Sequence, residues 1–140
     1  MYLNQCVNYL LTTAQHNIFQ GLSNRLSLFD LTPVQYGVLN CIWKENATSP
    51  KQIAELLMLE NSTVSGVLER MEKKMLIVRN ISKEDRRYIQ VELTELGKRL
   101  EDDVIKEVEA FNREVLSTIS KQEEDTLKDL LKKFARLKFD

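Results

Sequence analysis

The strongest constraint in this sequence is a pair of helical signatures joined by a tight turn and followed at once by a change of hydrophobic period. Ser49-Pro50-Lys51-Gln52 is a helix start. It has a hydroxyl that can accept from open N–H groups, then a proline at the first helical position, where a missing N–H costs nothing. A short helix follows, carrying Ile53, Ala54, Leu56 and Leu57. After Leu59-Glu60-Asn61, the residues Val64, Val67, Leu68 and Met71 recur at three- and four-residue steps, which predicts a second helix to about Met75. The period then falls to two. Leu76-Ile77-Val78 is a β-prone run, residues 80–86 are polar, and Tyr88-Ile89-Gln90-Val91-Glu92-Leu93 alternates, so two short strands flank a charged tip. Helix, short turn, helix and hairpin make the winged helix-turn-helix plan. In that plan the second helix enters the major groove of duplex DNA, and the hairpin tip reaches the backbone or the adjacent minor groove.

The rest of the chain is helical in pattern. Residues 2–27 repeat apolar side chains at helical steps from Leu3 to Leu26. Thr32-Pro33-Val34-Gln35 predicts a capping box opening a largely apolar, buried helix over 33–46. Thr94 predicts the start of one long helix seamed by Leu96, Leu100, Val104, Val108, Phe111 and Val115. Ser120-Lys121-Gln122-Glu123 is another capping box, ahead of a last helix striped by Leu127, Leu130, Leu131, Phe134 and Leu137. The fold class is therefore mainly α (α+β), a winged helix-turn-helix over 31–99 within a single chain of 1–140. Residues 1–30 and 100–140 supply flanking N- and C-terminal dimerisation helices. A winged helix of ~70 residues has no need of such additions, so their stripes pack on one another and on a second copy. Closure into a monomeric bundle is the other arrangement the stripes allow.

Charge is segregated. The net charge of −1 is that of an ordinary soluble domain, but residues 66–90 carry seven basic against four acidic side chains, and residues 100–140 eight against eleven. A local positive stretch on a neutral body suits contact with phosphate. The exposed face expected for the second helix of the pair holds Ser62, Thr63, Ser65, Gly66, Glu69, Arg70 and Lys73. Short hydroxyls and a glycine near its start let the backbone approach a groove floor, and Arg70 and Lys73 are long donors for bases or phosphates. At the hairpin tip Asp85 stands beside Arg86 and Arg87. A carboxylate can hold a guanidinium fork in one rotamer and so preorganise it for a narrow groove.

From Leu31 to Leu100 the sequence resembles the MarR family of bacterial transcriptional regulators. The matching pieces include Leu31-Thr32-Pro33-Val34-Gln35-Tyr36, Ile53-Ala54-Glu55-Leu56-Leu57, Ser62-Thr63-Val64-Ser65, Leu68-Glu69-Arg70-Met71-Glu72-Lys73-Lys74, Asp85-Arg86-Arg87 and Val91-Glu92-Leu93-Thr94-Glu95-Leu96-Gly97. The resemblance implies a homodimer with interlaced terminal helices on a short palindromic double-stranded DNA operator. It implies a regulator, often a repressor, released from DNA by a small phenolic or lipophilic effector. It places Ser62 to Arg70 against the major groove and Arg87, braced by Asp85, in the minor groove. Two positions depart from the family pattern: Met75 stands where a glycine is usual, and Glu60-Asn61 stands where Asp or Ser often precedes the recognition helix.

An effector seat among the first, second and fifth helices would be lined by His16, Tyr36, Asn40 and Trp43, since aromatic walls with a few polar groups suit an aromatic acid. The competing use of Tyr36 and Trp43 is as core. A thiol-based redox-sensing regulator is a further alternative. Cys6, however, lies about two residues from where a peroxide-sensing branch of the family carries its cysteine, a turn of ~200° about the helix, and Cys41 sits in the apolar second helix. With one histidine and no phosphate-binding glycine loop, nucleophile elbow or ligand cluster, no metal, cofactor or catalytic residue is expected. No apolar run approaches the ~20 residues of a membrane span, and no secretory pattern opens the chain, so the expectation is a cytoplasmic protein without membrane contact. A winged helix that docks a protein instead of DNA is the competing class, and the basic hairpin tip is the feature that argues against it.

Overall fold

Side-chain caps fix four of the helix starts, at Thr32, Ser49, Thr94 and Ser120. In a computed structural model that describes residues 1–81, 83–85 and 87–140, Thr32 Oγ1 accepts from the Gln35 N–H at 3.2 Å and Gln35 Oε1 accepts from the Thr32 N–H at 3.2 Å. This box opens α2, Pro33–Glu45. Ser120 and Glu123 make the same reciprocal pair, at 3.1 and 2.9 Å, at the head of α7, Lys121–Ala135. At α3, Pro50–Leu57, the pair is one-sided. Ser49 Oγ accepts from the Gln52 N–H at 3.2 Å, whereas the Gln52 amide oxygen turns to the Thr48 N–H at 2.8 Å.

The first helix is shorter than its apolar pattern. A 3-10 turn over Leu3–Gln5 is followed by extended Cys6, and α1 runs from Val7 to Leu26. Cys6 supplies no capping oxygen, and its N–H bonds back to the Leu3 carbonyl at 3.0 Å, closing the 3-10 turn instead of extending the helix. A second 3-10 turn, Ser27–Phe29, ends on Asp30 in the left-handed region.

α3 and α4 (Asn61–Lys73) form the helix pair. Met58, at φ 55°, closes α3, and the Leu59 N–H reaches back to the Ala54 carbonyl at 3.0 Å, so the turn itself satisfies the helix end. Ile53 and Ala54 of α3, Val38 and Leu39 of α2, and Val64, Val67, Leu68 and Met71 of α4 are buried in one cluster. Full burial of each large apolar side chain stabilises by roughly 1.5–3 kcal/mol. α4 ends on Met75 at φ 62°, with its side chain exposed. A methionine there costs about 1–2 kcal/mol that a glycine would avoid.

β1, Ile77–Ile81, pairs antiparallel with β2, Ile89–Leu93. The first strand runs three residues beyond the apolar run that announced it. Arg79 stands opposite buried Val91, with its N–H donating to Glu72 instead of the ladder, and exposed Asn80 stands opposite Gln90. The expected single helix from Thr94 is interrupted at Leu100, giving α5, Glu95–Arg99, and α6, Glu101–Leu116. The break falls where the Gly97 carbonyl, the acceptor that the Glu101 N–H would use, takes the Trp43 indole N–H at 3.1 Å.

α1 packs on α6. A Cβ on Gly21 would come within 2.6 Å of the Phe111 ring, and Arg25 lies over that ring at 5.7 Å while pairing with Glu107 and Glu114. α7 buries none of its residues. Its stripe of Leu127, Leu130, Leu131 and Phe134 stands open, as do Val7, Leu10, Ile18 and Phe19 of α1. The single chain therefore does not close into a monomeric bundle. Among the described residues, no helix is long and apolar enough to cross a membrane.

Candidate nucleic-acid interface

The burial of Val64, Val67, Leu68 and Met71 dictates what α4 shows to solvent. Ser62, Thr63, Ser65, Glu69, Arg70 and Lys73 are exposed together, with Gly66 half-buried among them. Glu60 occupies the N-cap by position, but its side chain accepts no cap bond, so the first N–H groups of the helix remain open to an anion. Glu69 and Lys73 lie 3.7 Å apart one turn along the helix. Arg70 has no ion-pair partner among the described residues, and its guanidinium lies back toward Gly66. A Cβ built on Gly66 would meet Arg70 Nη1 at 3.7 Å, ordinary contact, so the fold itself has room for a methyl there.

At the hairpin tip the Arg87 backbone N–H donates to Asp85 Oδ1 at 3.0 Å, and its guanidinium donates to both carboxylate oxygens, Nε at 3.1 Å and Nη2 to Oδ2 at 2.7 Å. The Arg87 side chain is 84% exposed and that of Asp85 29%, so the fork is presented and its brace is half-covered. Hydrogen bonds from Arg87 hold the Asp85 carboxyl below the usual carboxylate range, and Asp85 pushes the guanidinium higher still. Arg86 lies outside the described residues. Arg87, Tyr88 and Ile89 share a cleft of about 310 Å³ with Ser49, Pro50 and Lys51 at the start of α3 and Asn61 at the start of α4. Two helix N-termini and the braced arginine thus face one space.

The base of the hairpin is tied to the end of α4 by contacts that periodicity does not reveal. Thr94 Oγ1 lies 2.6 Å from the Met75 carbonyl oxygen and accepts from the Gly97 N–H at 3.1 Å. A Cβ on Gly97 would sit 2.3 Å from the Leu76 carbonyl oxygen. That close approach is the physical reason for glycine at this point in Leu93-Thr94-Glu95-Leu96-Gly97. Glu72 on α4 accepts from the Arg79 backbone N–H at 3.0 Å and from its guanidinium at 3.0 Å, and these bonds lower the Glu72 carboxyl below its usual range. The only sequence signal of this clamp is one acid and one base seven residues apart across the helix–strand junction.

The four residues expected to line an effector seat fall on α1 and α2. His16 is exposed on α1, while Tyr36, Asn40 and Trp43 are half-buried along α2. Asn40 Nδ2 donates to Tyr36 Oη at 3.2 Å, and burial pushes the Tyr36 phenol upward. The Trp43 indole N–H is engaged by Gly97 inside the fold. Cys41 is buried, and burial raises its thiol, with Glu45 adding to the effect, whereas Cys6 is half-buried at the head of α1.

Comparison with known proteins agrees with this geometry. Residues 31–89 match the model of the MarR family. The HTH-type transcriptional regulator SarZ of Staphylococcus aureus is 29% identical over 140 residues, covering 99% of this chain and 93% of that protein. A probable transcriptional regulator from Pseudomonas aeruginosa superposes with a TM-score of 0.87 at 27% identity, covering 95% of this chain and 99% of the other. MepR of S. aureus, in a complex with DNA, gives a TM-score of 0.83 at 26% identity, covering 93% of this chain and 96% of the other.

Proposed function

We propose that this chain is a member of the MarR family and, on that premise, a DNA-binding transcriptional regulator, a repressor, acting as a homodimer on a pseudo-palindromic operator. α4 lies in the major groove with Ser62, Thr63, Ser65 and Gly66 nearest the bases and Arg70 and Lys73 toward bases or phosphates. Arg87 enters the adjacent minor groove, with Asp85 fixing its rotamer. The exposed apolar stripes of α1 and α7 meet those of a second copy, which sets two recognition helices one helical turn, ~34 Å, apart. The observation that carries this reading is the braced, exposed Arg87 facing the same cleft as the N-termini of α3 and α4. The chain acts by binding, without catalysis and in the cytoplasm, and a small aromatic effector seated beside Tyr36 and Asn40 would act by shifting the angle between the terminal helices and the winged helix.

Selection of bound sites from a randomised duplex library tests it, with affinities followed against salt. The expected result is a palindrome with half-sites one turn apart and a steep fall of affinity with salt. Weak binding without enrichment, insensitive to sequence, would contradict it.

A further inference from the structure

Lys73 and Lys74 are neighbours at the end of α4, yet they are used differently. Lys73 is exposed and pairs with Glu69 at 3.7 Å. Lys74 turns inward, and Nζ donates to the Asp30 backbone carbonyl at 2.7 Å and to Gln35 Oε1 at 2.9 Å, with the Asp30 carboxylate 3.7 Å away. An ammonium carries three donors and no acceptor, so this all-acceptor corner suits it. Gln35 is the buried polar side chain among the described residues, 3% exposed, and the same oxygen caps α2 through Thr32. Asp30, at φ 56°, ends the turn that terminates α1.

One side chain thus joins the last turn of the recognition helix to the corner where α1 meets α2. The α1 side of that corner belongs to the terminal body, because α1 is held on α6 by Gly21 against Phe111 and by Arg25 with Glu107 and Glu114. The Glu72–Arg79 clamp, by contrast, ties α4 to the hairpin and moves with the winged helix. We propose that Lys74 is a positioning residue that fixes the recognition helix relative to the dimer body, and so fixes the half-site spacing the dimer accepts. This rests on the operator-binding dimer proposed above. Adding one base pair between half-sites moves them apart by about 3.4 Å and rotates them by about 35°, so freedom of α4 about its core contact reads out as tolerance of spacing.

The test compares wild type, Lys74→Gln and Lys74→Arg on the palindrome selected by the wild-type protein, and on versions with one base pair added or removed at its centre. Wild type should lose about tenfold in affinity at each one-base-pair change, Lys74→Gln only about twofold, and Lys74→Arg, whose fork can reach both acceptors, should behave as wild type. Ratios between duplexes are independent of the active fraction, so a merely less stable variant leaves them unchanged. Lys74→Gln keeping the wild-type ratios would overturn the proposal. So would a uniform loss on all duplexes with the salt slope lowered by about one, the mark of a phosphate contact. If the wild-type protein selects no palindrome, operator binding fails and the positioning role falls with it. If it does and the ratios hold, only the role of Lys74 fails.

Discussion

Leu68 on α4 and Leu130 on α7 sit in equally regular apolar stripes, yet the first is fully buried and the second 46% exposed. The difference separates the molecule into two regions. Residues 31–99 bring four helices and a hairpin together, and their apolar stripes meet within the same chain. The ends present α1 and α7, and the apolar face of α7 finds nothing within the chain. An amphipathic helix gains stability only from what covers it. The middle is therefore covered by its own chain, while the apolar face of α7 is left for the second copy proposed above to cover.

The comparison can be broken most severely at the ends. Leu130→Glu with Phe134→Glu should turn a dimer into a monomer by sedimentation velocity and weaken operator binding by about 100-fold or more through lost avidity. A variant that stays dimeric would place the interface elsewhere. Inside the finished fold, Gly97→Ala forces a methyl to 2.3 Å from the Leu76 carbonyl oxygen. It should cost about 1–3 kcal/mol in urea denaturation while leaving the dimer interface untouched.

Arg87→Ala should weaken DNA binding, most on sites with a narrow flanking minor groove, with no change in thermal midpoint, because its side chain is exposed and bonded only within the tip. Gly66→Ala sharpens the contrast between fold and ligand. A methyl there meets ordinary contact in the chain itself, so stability should rise by about 0.4–1 kcal/mol. Affinity for DNA should fall as the methyl holds α4 off the groove floor. The two thiols give the smallest effect. Cys41, buried and with its thiol pushed upward, should resist a thiol reagent at pH 8 until the protein unfolds, whereas half-buried Cys6 should react in the native state.

What the sequence made legible follows from local chemistry. Thr32, Ser49 and Ser120 announced their helices because a cap is a contact between residues three apart. The α4 face was legible from the spacing of four buried side chains, and the Asp85–Arg87 fork from two residues nearly adjacent in the chain. Contacts across the fold were not legible. The interruption at Leu100 follows the Gly97 carbonyl, taken by an indole 54 residues before it, and Lys74 turns inward toward partners 44 and 39 residues back. Lys73 and Lys74 look alike in a charge pattern, and only the packed corner distinguishes them. The reach of β1 to Ile81 was hidden for another reason, since ladder bonds on an exposed hairpin leave no trace in hydrophobic period.

The most direct test of a finished reading domain joined to half an interface is the mass of the protein–DNA complex in native mass spectrometry, formed with the selected palindromic duplex. The account predicts the duplex plus two chains of 16.3 kDa each, with no appreciable species carrying one. A stable complex of one chain per duplex, or a dimer that leaves the duplex unbound, would contradict it.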